Sequence, residues 1–207
     1  MSDNEQGNRD LRSLDKLAPS TRARIETAVL DTFAGREFQK VSLIEIARSA
    51  NVSLQTIYKY YGDKETLLFS SLDTWLTRLA KRMTDHLQGI EDYKERFRKV
   101  FWVALEFFQK NPDVALLIMS SVYLNTWRKY DTFRQPEFFN LFMQVIKEGR
   151  HQGVLNDEVE ERYILDFVLG TCSRLISMWI IRGQQDKLTD DANLLFEMLW
   201  RAISKPE

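Results

Sequence analysis

The sequence predicts an all-α protein with a small N-terminal three-helix domain and a larger C-terminal helical domain. The chain of 207 residues contains only eight Gly and four Pro, whereas an all-β fold needs many short turns. Apolar residues recur at helical spacing, as in Ile25, Val29 and Phe33, and no segment alternates as a strand does. With 44% hydrophobic and 12% aromatic residues, the chain has enough apolar side chains for two cores.

The domain boundaries follow from where this helical spacing begins and changes. Residues 1–18 are polar and lack apolar periodicity, so we expect a disordered N-terminal arm. Residues 19–66 form the small domain and residues 67–207 the larger one. The first helix is expected to begin near Ser20, directly after Pro19, and Gly35 ends it.

Two short helices follow, separated by a tight turn. Ser42 and Glu45 have the spacing of a capping box, so the second helix opens at Ser42. Asn51 is suited to the left-handed conformation that a tight turn requires. Ser53 then caps a third helix over residues 54–61. Ile57 and Tyr61, four residues apart, form its buried face.

The remaining helices are longer and more apolar. Asp63 caps a long helix that reaches about residue 86 and links the two domains. Further helices are predicted over residues 93–110, 112–130 with a bend near Asn125, 136–152, 158–184 and 189–203. Pro112 and Pro136 suit first-turn positions.

Charge, cysteine content and hydropathy narrow the class of protein. The net charge is −1, yet residues 16–64 carry eight Lys or Arg against five Asp or Glu, an excess of three positive charges. The single cysteine, Cys172, cannot form an internal disulfide, which fits a reducing cytoplasm. The sequence lacks both an uncharged stretch long enough to span a membrane and an N-terminal secretion signal. We therefore predict a cytoplasmic protein that does not bind membranes.

The sequence also argues against catalysis. His86 and His151 are its two histidines, and neither belongs to a Cys/His cluster with metal-ligand spacing. The chain has no glycine-rich loop that could cradle phosphates, and Glu106 and the other acids are not paired for acid/base chemistry. We predict a non-enzyme with no catalytic residues, no metal and no cofactor.

The third helix carries a polar face that suits a nucleic acid. Gln55, Thr56, Lys59 and Tyr60 are predicted to face outward. In the major groove of DNA, Gln can pair with adenine, Lys can reach guanine or phosphate, and Tyr can contact phosphate. Taken alone, this face could equally be a solvated helix surface.

The segment from Val41 to Leu68, VSLIEIARSANVSLQTIYKYYGDKETLL, resembles the signature of the TetR family of transcriptional regulators. Two departures are visible: Asn51 stands where Gly is usual, and Leu54 where a small or polar residue is common. The resemblance implies DNA contacts from the following residues: Ser42, Leu54, Gln55, Thr56, Tyr58, Lys59, Tyr60 and Lys64. Ile44 also occupies a contact position, but its aliphatic side chain cannot neutralise phosphate, so packing is the simpler interpretation.

The same resemblance implies a repressor that binds a palindromic operator in double-stranded DNA as a homodimer and is released by a small-molecule effector. We expect the dimer to form through the last two helices, and the interface candidates are Val168, Leu175, Trp179, Leu195, Leu199 and Trp200. A helical small-molecule-binding or scaffold protein without DNA function is the alternative. The intact polar face of the third helix argues against it.

Aromatic and methionine side chains predict a hydrophobic effector. The stripe Phe97, Phe101, Leu105 and Phe108 leads the candidate ligand-binding set, which continues with Met119, Tyr123, Trp127, Phe142, Phe167, Arg174 and Met178. Each apolar member could also be ordinary core. Arg174 lies in an apolar run, so its charge needs a partner. That partner could be a carboxylate of the same chain, a carboxylate of the second protomer, or the headgroup of a ligand. The region from residue 147 to 181 resembles the acyl-CoA-responsive fatty-acid regulators of the family, which makes acyl-CoA or a fatty acid the candidate effector.

Overall fold

The computed structural model describes residues 16–120 and 136–206, and within these ranges the protein is all-α, as predicted. The nine α-helices of the described ranges are α1 Pro19–Phe33, α2 Leu43–Ser49, α3 Leu54–Tyr61, α4 Lys64–Leu87, α5 Tyr93–Lys110, α6 Pro112–Ser120, α7 Pro136–His151, α8 Glu161–Ile181 and α9 Ala192–Ile203. A 3₁₀ turn, Phe38–Lys40, precedes α2 and has no counterpart in the predicted elements.

The described residues divide into two compact units. The first contains residues 16–74 and 116–120, and the second contains residues 75–115 and 136–206. The division between the two units falls inside helix α4, after Thr74, and inside helix α6, after Ala115. The predicted bend near Asn125 and the end of that helix at residue 130 lie outside the described residues.

The first unit has one hydrophobic core, built from α1 to α4 and the end of α6. Ile25, Ile46, Ile57 and Leu67 are completely buried in it. Leu17 is also buried there, so the residues expected to form a disordered arm include one that belongs to the core. A single leucine before Pro19 gives no periodic signal, and for that reason the sequence did not predict its burial.

The predicted caps and turn of this unit are confirmed. Ser42 Oγ accepts a hydrogen bond from the Glu45 N–H at 3.2 Å, and Ser53 Oγ accepts one from the Thr56 N–H at 3.0 Å. Asn51 has a φ of 52°, the left-handed conformation expected at the tight turn. These local interactions fix the direction of α3 relative to α2.

The second unit is held together by aromatic packing between α5 and α9. The rings of Phe97 and Phe196 lie 6.2 Å apart, and those of Phe196 and Trp200 lie 5.9 Å apart. The Tyr93 hydroxyl donates to the Val145 carbonyl of α7 at 2.9 Å. Helix α8 packs against α5, α7 and α9, and it is shorter at both ends than the predicted span of 158–184.

Candidate nucleic-acid interface and apolar cavity

Helix α3 presents one face to the core of the first unit and the other to solvent. Ile57 and Tyr61 are buried, at 0% and 2% exposure, which confirms the predicted inner face. On the opposite side Gln55 and Lys59 are exposed, and the Tyr58 side chain is 53% exposed. The helix is therefore anchored by apolar contacts while a glutamine, a tyrosine and a lysine remain accessible to a partner.

Three other residues of α3, predicted to contact DNA, make contacts within the first unit. The Thr56 hydroxyl lies 2.8 Å from Ser53 Oγ, so it takes part in the helix cap. Tyr60 and Leu54 are half-buried and pack against the core. The Lys59 ammonium lies 5.2 Å from the centre of the Tyr60 ring, so a cation–π interaction joins the two side chains.

The start of α2, the helix that precedes α3 in the chain, is also exposed to solvent. Ser42 is exposed, and Ile44 is 58% exposed, so this isoleucine does not pack as expected. Arg36 donates a hydrogen bond to the Glu45 carboxylate at 2.7 Å. This bond holds the pKa of Glu45 below its usual range, and a hydrogen bond from the Ser42 backbone N–H lowers the pKa further.

We call Ser42, Ile44, Gln55, Tyr58 and Lys59 the recognition surface.

Lys64 occupies a position where the resemblance implies a DNA contact, but its ammonium is already engaged inside the first unit. It donates to the carbonyls of Phe38 and Val41, both at 2.8 Å, and it lies 4.3 Å from the centre of the Phe38 ring. Burial lowers the pKa of Lys64. Two of its three donors thus hold the 3₁₀ turn against the start of α4, and one remains for another acceptor.

An apolar cavity of about 50 Å³ lies within the second unit. Helices α4, α5, α7 and α8 supply its walls: Leu79, Met83, Phe97, Val100, Phe101, Ala104, Phe108, Phe142, Val168, Leu169 and Cys172. Burial raises the pKa of the Cys172 thiol to about 12. With this lining the cavity suits an apolar group rather than an ion.

The structure brings together four of the predicted ligand-binding residues. Phe97, Phe101, Phe108 and Phe142 all line the cavity. The others lie elsewhere: Leu105 is buried away from it, Phe167 is 50% exposed, Arg174 is exposed and Met178 is half-buried. The Met119 side chain, Tyr123 and Trp127 lie outside the described residues.

Several cavity residues were missed by sequence reasoning. Leu79 and Met83, four residues apart on α4, carried a helical-spacing signal but were interpreted as part of a linking helix. Val168 was expected at the dimer interface, yet it is 3% exposed and lines the cavity. The placement of Val168 at the dimer interface was therefore wrong, because this side chain points into the protomer.

The last two helices leave an apolar surface uncovered in the protomer. Tyr163, Phe167 and Ile181 of α8 are 52%, 50% and 70% exposed, and Leu194 and Met198 of α9 are 65% and 63% exposed. Among the interface candidates, Leu199 and Trp200 are buried within the protomer as Val168 is, whereas Leu175, Trp179 and Leu195 are half-buried. The physical reason is that Trp200 packs on Phe97 and Tyr93 of α5.

Length and composition alone would allow one helix of the described ranges, α8, to cross a membrane. The most apolar window of α8 has a mean hydropathy of 1.6, and 28% of that window is buried in the protomer. Core helices pass the same test, and α8 packs against three neighbours of the second unit.

Two short helices joined by a tight turn, the second with an exposed polar face, define a helix-turn-helix DNA-binding protein. Comparison with known families agrees with this class. Residues 27–70 match the bacterial regulatory proteins of the tetR family, and residues 72–202 match the C-terminal region of YsiA-like proteins. The chain belongs to the TetR family of transcriptional regulators, with a C-terminal region of the YsiA-like type.

Individual relatives and solved structures are distant in sequence but cover most of the chain. The fatty acid metabolism regulator protein of Bacillus subtilis is 19% identical over 87% of this chain and 94% of its own length. An HTH-type transcriptional repressor of Streptomyces coelicolor is 25% identical over 68% of this chain and 70% of its own. The crystal structure of FadR from Bacillus subtilis in complex with stearoyl-CoA superposes with a TM-score of 0.77, at 20% identity, over 86% of this chain and 96% of that one. This likeness shows a shared fold.

Proposed function

We propose that this regulator is a cytoplasmic repressor that binds a near-palindromic operator as a homodimer and releases it when a hydrophobic effector binds. The observation that carries the proposal is the recognition surface, where Gln55, Tyr58 and Lys59 are exposed on a helix whose other face is buried. A glutamine can read adenine in the major groove, and the lysine and tyrosine can fix the helix on phosphates.

The exposed apolar surface of α8 and α9 supports a homodimer. Phe167, Ile181, Leu194 and Met198 are each at least half exposed in the protomer, and contact with a second copy would remove them from water. A two-fold axis would present two recognition helices to half-sites about 34 to 36 Å apart, so the operator would be a near-palindrome.

The apolar cavity supports a hydrophobic effector, and we propose a long-chain acyl-CoA or fatty acid. The fatty acid metabolism regulator among the relatives and the stearoyl-CoA complex of a similar structure agree with this ligand class. The cavity of about 50 Å³ is much smaller than the pockets of about 300 to 1,000 Å³ that hold organic ligands. An acyl chain would therefore have to separate the cavity walls, and that movement would distinguish the effector-bound state from the DNA-binding one.

Binding of the purified protein to DNA and to acyl ligands tests this proposal. Selection from a random duplex library should yield a palindrome, and stearoyl-CoA should weaken binding to it by a coupling of roughly 1 to 3 kcal/mol. Gln55→Ala should relax base preference at one position of each half-site by about 1 to 3 kcal/mol. Failure to select any sequence would contradict the repressor proposal, whereas selection without an acyl response would contradict only the effector.

A further inference from the structure

The exposed face of α8 is centred on Gly170. At about 3.6 residues per turn, Tyr163, Asp166, Phe167, Ser173 and Arg174 all lie within about 60° of Gly170 around the helix. Each of these residues is exposed in the protomer, as is Gly170 itself. A Cβ atom added at Gly170 would meet no atom within 4 Å, so nothing in the described part of the chain covers the centre of this face.

Two opposite charges stand on this face without a partner in the described part of the protomer. Within residues 16–120 and 136–206, neither Asp166 nor Arg174 forms a hydrogen bond or an ion pair. The nearest cation on the helix that could reach Asp166 is Arg162, whose guanidinium lies 2.9 Å from Glu160. Asp166 and Arg174 are about 12 Å apart along the axis, beyond the three- or four-residue spacing at which helix side chains pair.

The positions of these two charges are symmetric about the glycine. Asp166 lies four residues before Gly170 and Arg174 four residues after it. When two identical helices cross antiparallel about a two-fold axis, residues equally far before and after the crossing point come to the same level. A crossing at Gly170 would therefore bring unlike charges together twice, once at each side of the axis.

We infer that a second copy of this chain covers the face, with the two α8 helices crossing antiparallel at Gly170 and Asp166 of each protomer paired with Arg174 of the partner subunit. This inference rests on the proposed homodimer and adds its register and the residues that set partner choice. The absence of a side chain at Gly170 lets the helix axes approach closely. Among antiparallel crossings of two α8 helices, only one centred on Gly170 brings Asp166 level with Arg174 of the partner subunit.

Charge reversal separates this arrangement from a dimer of any other geometry. Asp166→Arg places two arginines opposite each other at both contacts, and Arg174→Asp places two aspartates there. We expect each single variant to lose at least ten-fold in dimer affinity, measured by sedimentation equilibrium of the full chain. An equimolar mixture of the two variants should form a heterodimer, because unlike charges again face each other.

The double variant Asp166→Arg/Arg174→Asp should recover the homodimer for the same reason, which also excludes misfolding as the cause of the single losses. Lys81→Asp, at an exposed position on α4, lowers the net charge by two as Arg174→Asp does and should leave dimer affinity unchanged. A stable wild-type dimer that tolerates both single reversals would overturn the pairing while leaving the proposed homodimer intact. A monomeric wild type at micromolar concentration would overturn both.

Discussion

The Arg22 guanidinium donates a hydrogen bond to the Thr74 hydroxyl at 3.0 Å and at the same time holds the carboxylate of Glu26 at 3.0 Å. Glu26 is 5% exposed and is the one charged residue that is buried among the described residues. Arg22 therefore both neutralises a buried acid of α1 and fastens α1 to α4 within the first unit. Because one guanidinium makes both contacts, this arginine should contribute to the stability of the first unit.

Replacing this arginine should destabilise the first unit without touching the recognition surface. We expect Arg22→Ala to lower the free energy of unfolding by about 1 to 3 kcal/mol, because the buried Glu26 carboxylate loses this ion pair. Urea denaturation followed by circular dichroism measures the change. Arg24→Ala is the matched control, since Arg24 is exposed on the same helix and should cost little. Equal losses in both variants would contradict a special role for Arg22.

Lys59 should contribute to operator affinity in a manner that depends on salt. Its exposed ammonium is placed to contact a phosphate, so Lys59→Ala should weaken binding to every sequence and reduce the slope of log affinity against log salt by about one per protomer. Fluorescence anisotropy over a salt series measures this slope. Lys147→Ala, an exposed lysine on α7, is the control. A change confined to one base position would instead assign Lys59 to base reading.

The attachment of α9 to α5 should weaken in acid because the ion pairs of one carboxylate contribute to it alongside the aromatic packing. Glu197 accepts from Lys94 at 2.9 Å and from Arg98 at 2.6 Å. Lys94 first, and then Arg98, hold the pKa of Glu197 below its usual value of 4.5. A lowered carboxyl pKa contributes stability above its unfolded-state value and loses it as the pH falls through the folded-state value.

Comparison of wild type with Glu197→Gln between pH 7 and about pH 3 tests that dependence. The variant should be less stable at neutral pH, and the difference should shrink as the medium becomes acidic, because only the wild type carries the titrating group. Melting temperature at each pH is the measurement. Glu91→Gln removes an exposed carboxyl that lies outside these ion pairs and should run parallel to the wild type.

The predictability of each region depended on how many independent local signals its sequence carried. Ser42 and Ser53 each stand directly before an amphipathic helix, so cap chemistry and periodicity both predicted α2 and α3. Tyr60 was misplaced because an aromatic side chain suits both a core and a groove. The engagement of Lys64 with the Phe38 and Val41 carbonyls could not be predicted, since it joins residues more than twenty positions apart.

Helical periodicity could not predict which face of α8 points into the protomer. Apolar residues surround it on nearly every side, so the pattern does not say which face points inward. The sequence reasoning placed Phe167 and Arg174 at the ligand and Val168 at the dimer, whereas the structure exposes the first two and buries the third. Only the packing of α8 against α5 and α7 decides its rotation, and those are contacts distant in sequence.

Filling the cavity should abolish the effector response while leaving DNA binding intact. Ala104 lines the cavity of about 50 Å³, so Ala104→Leu would occupy space that an acyl chain has to enter. We expect stearoyl-CoA to raise the melting temperature of the wild type but not of this variant, and to release operator DNA only from the wild type. An unchanged stearoyl-CoA response in the filled variant would place the effector outside this cavity.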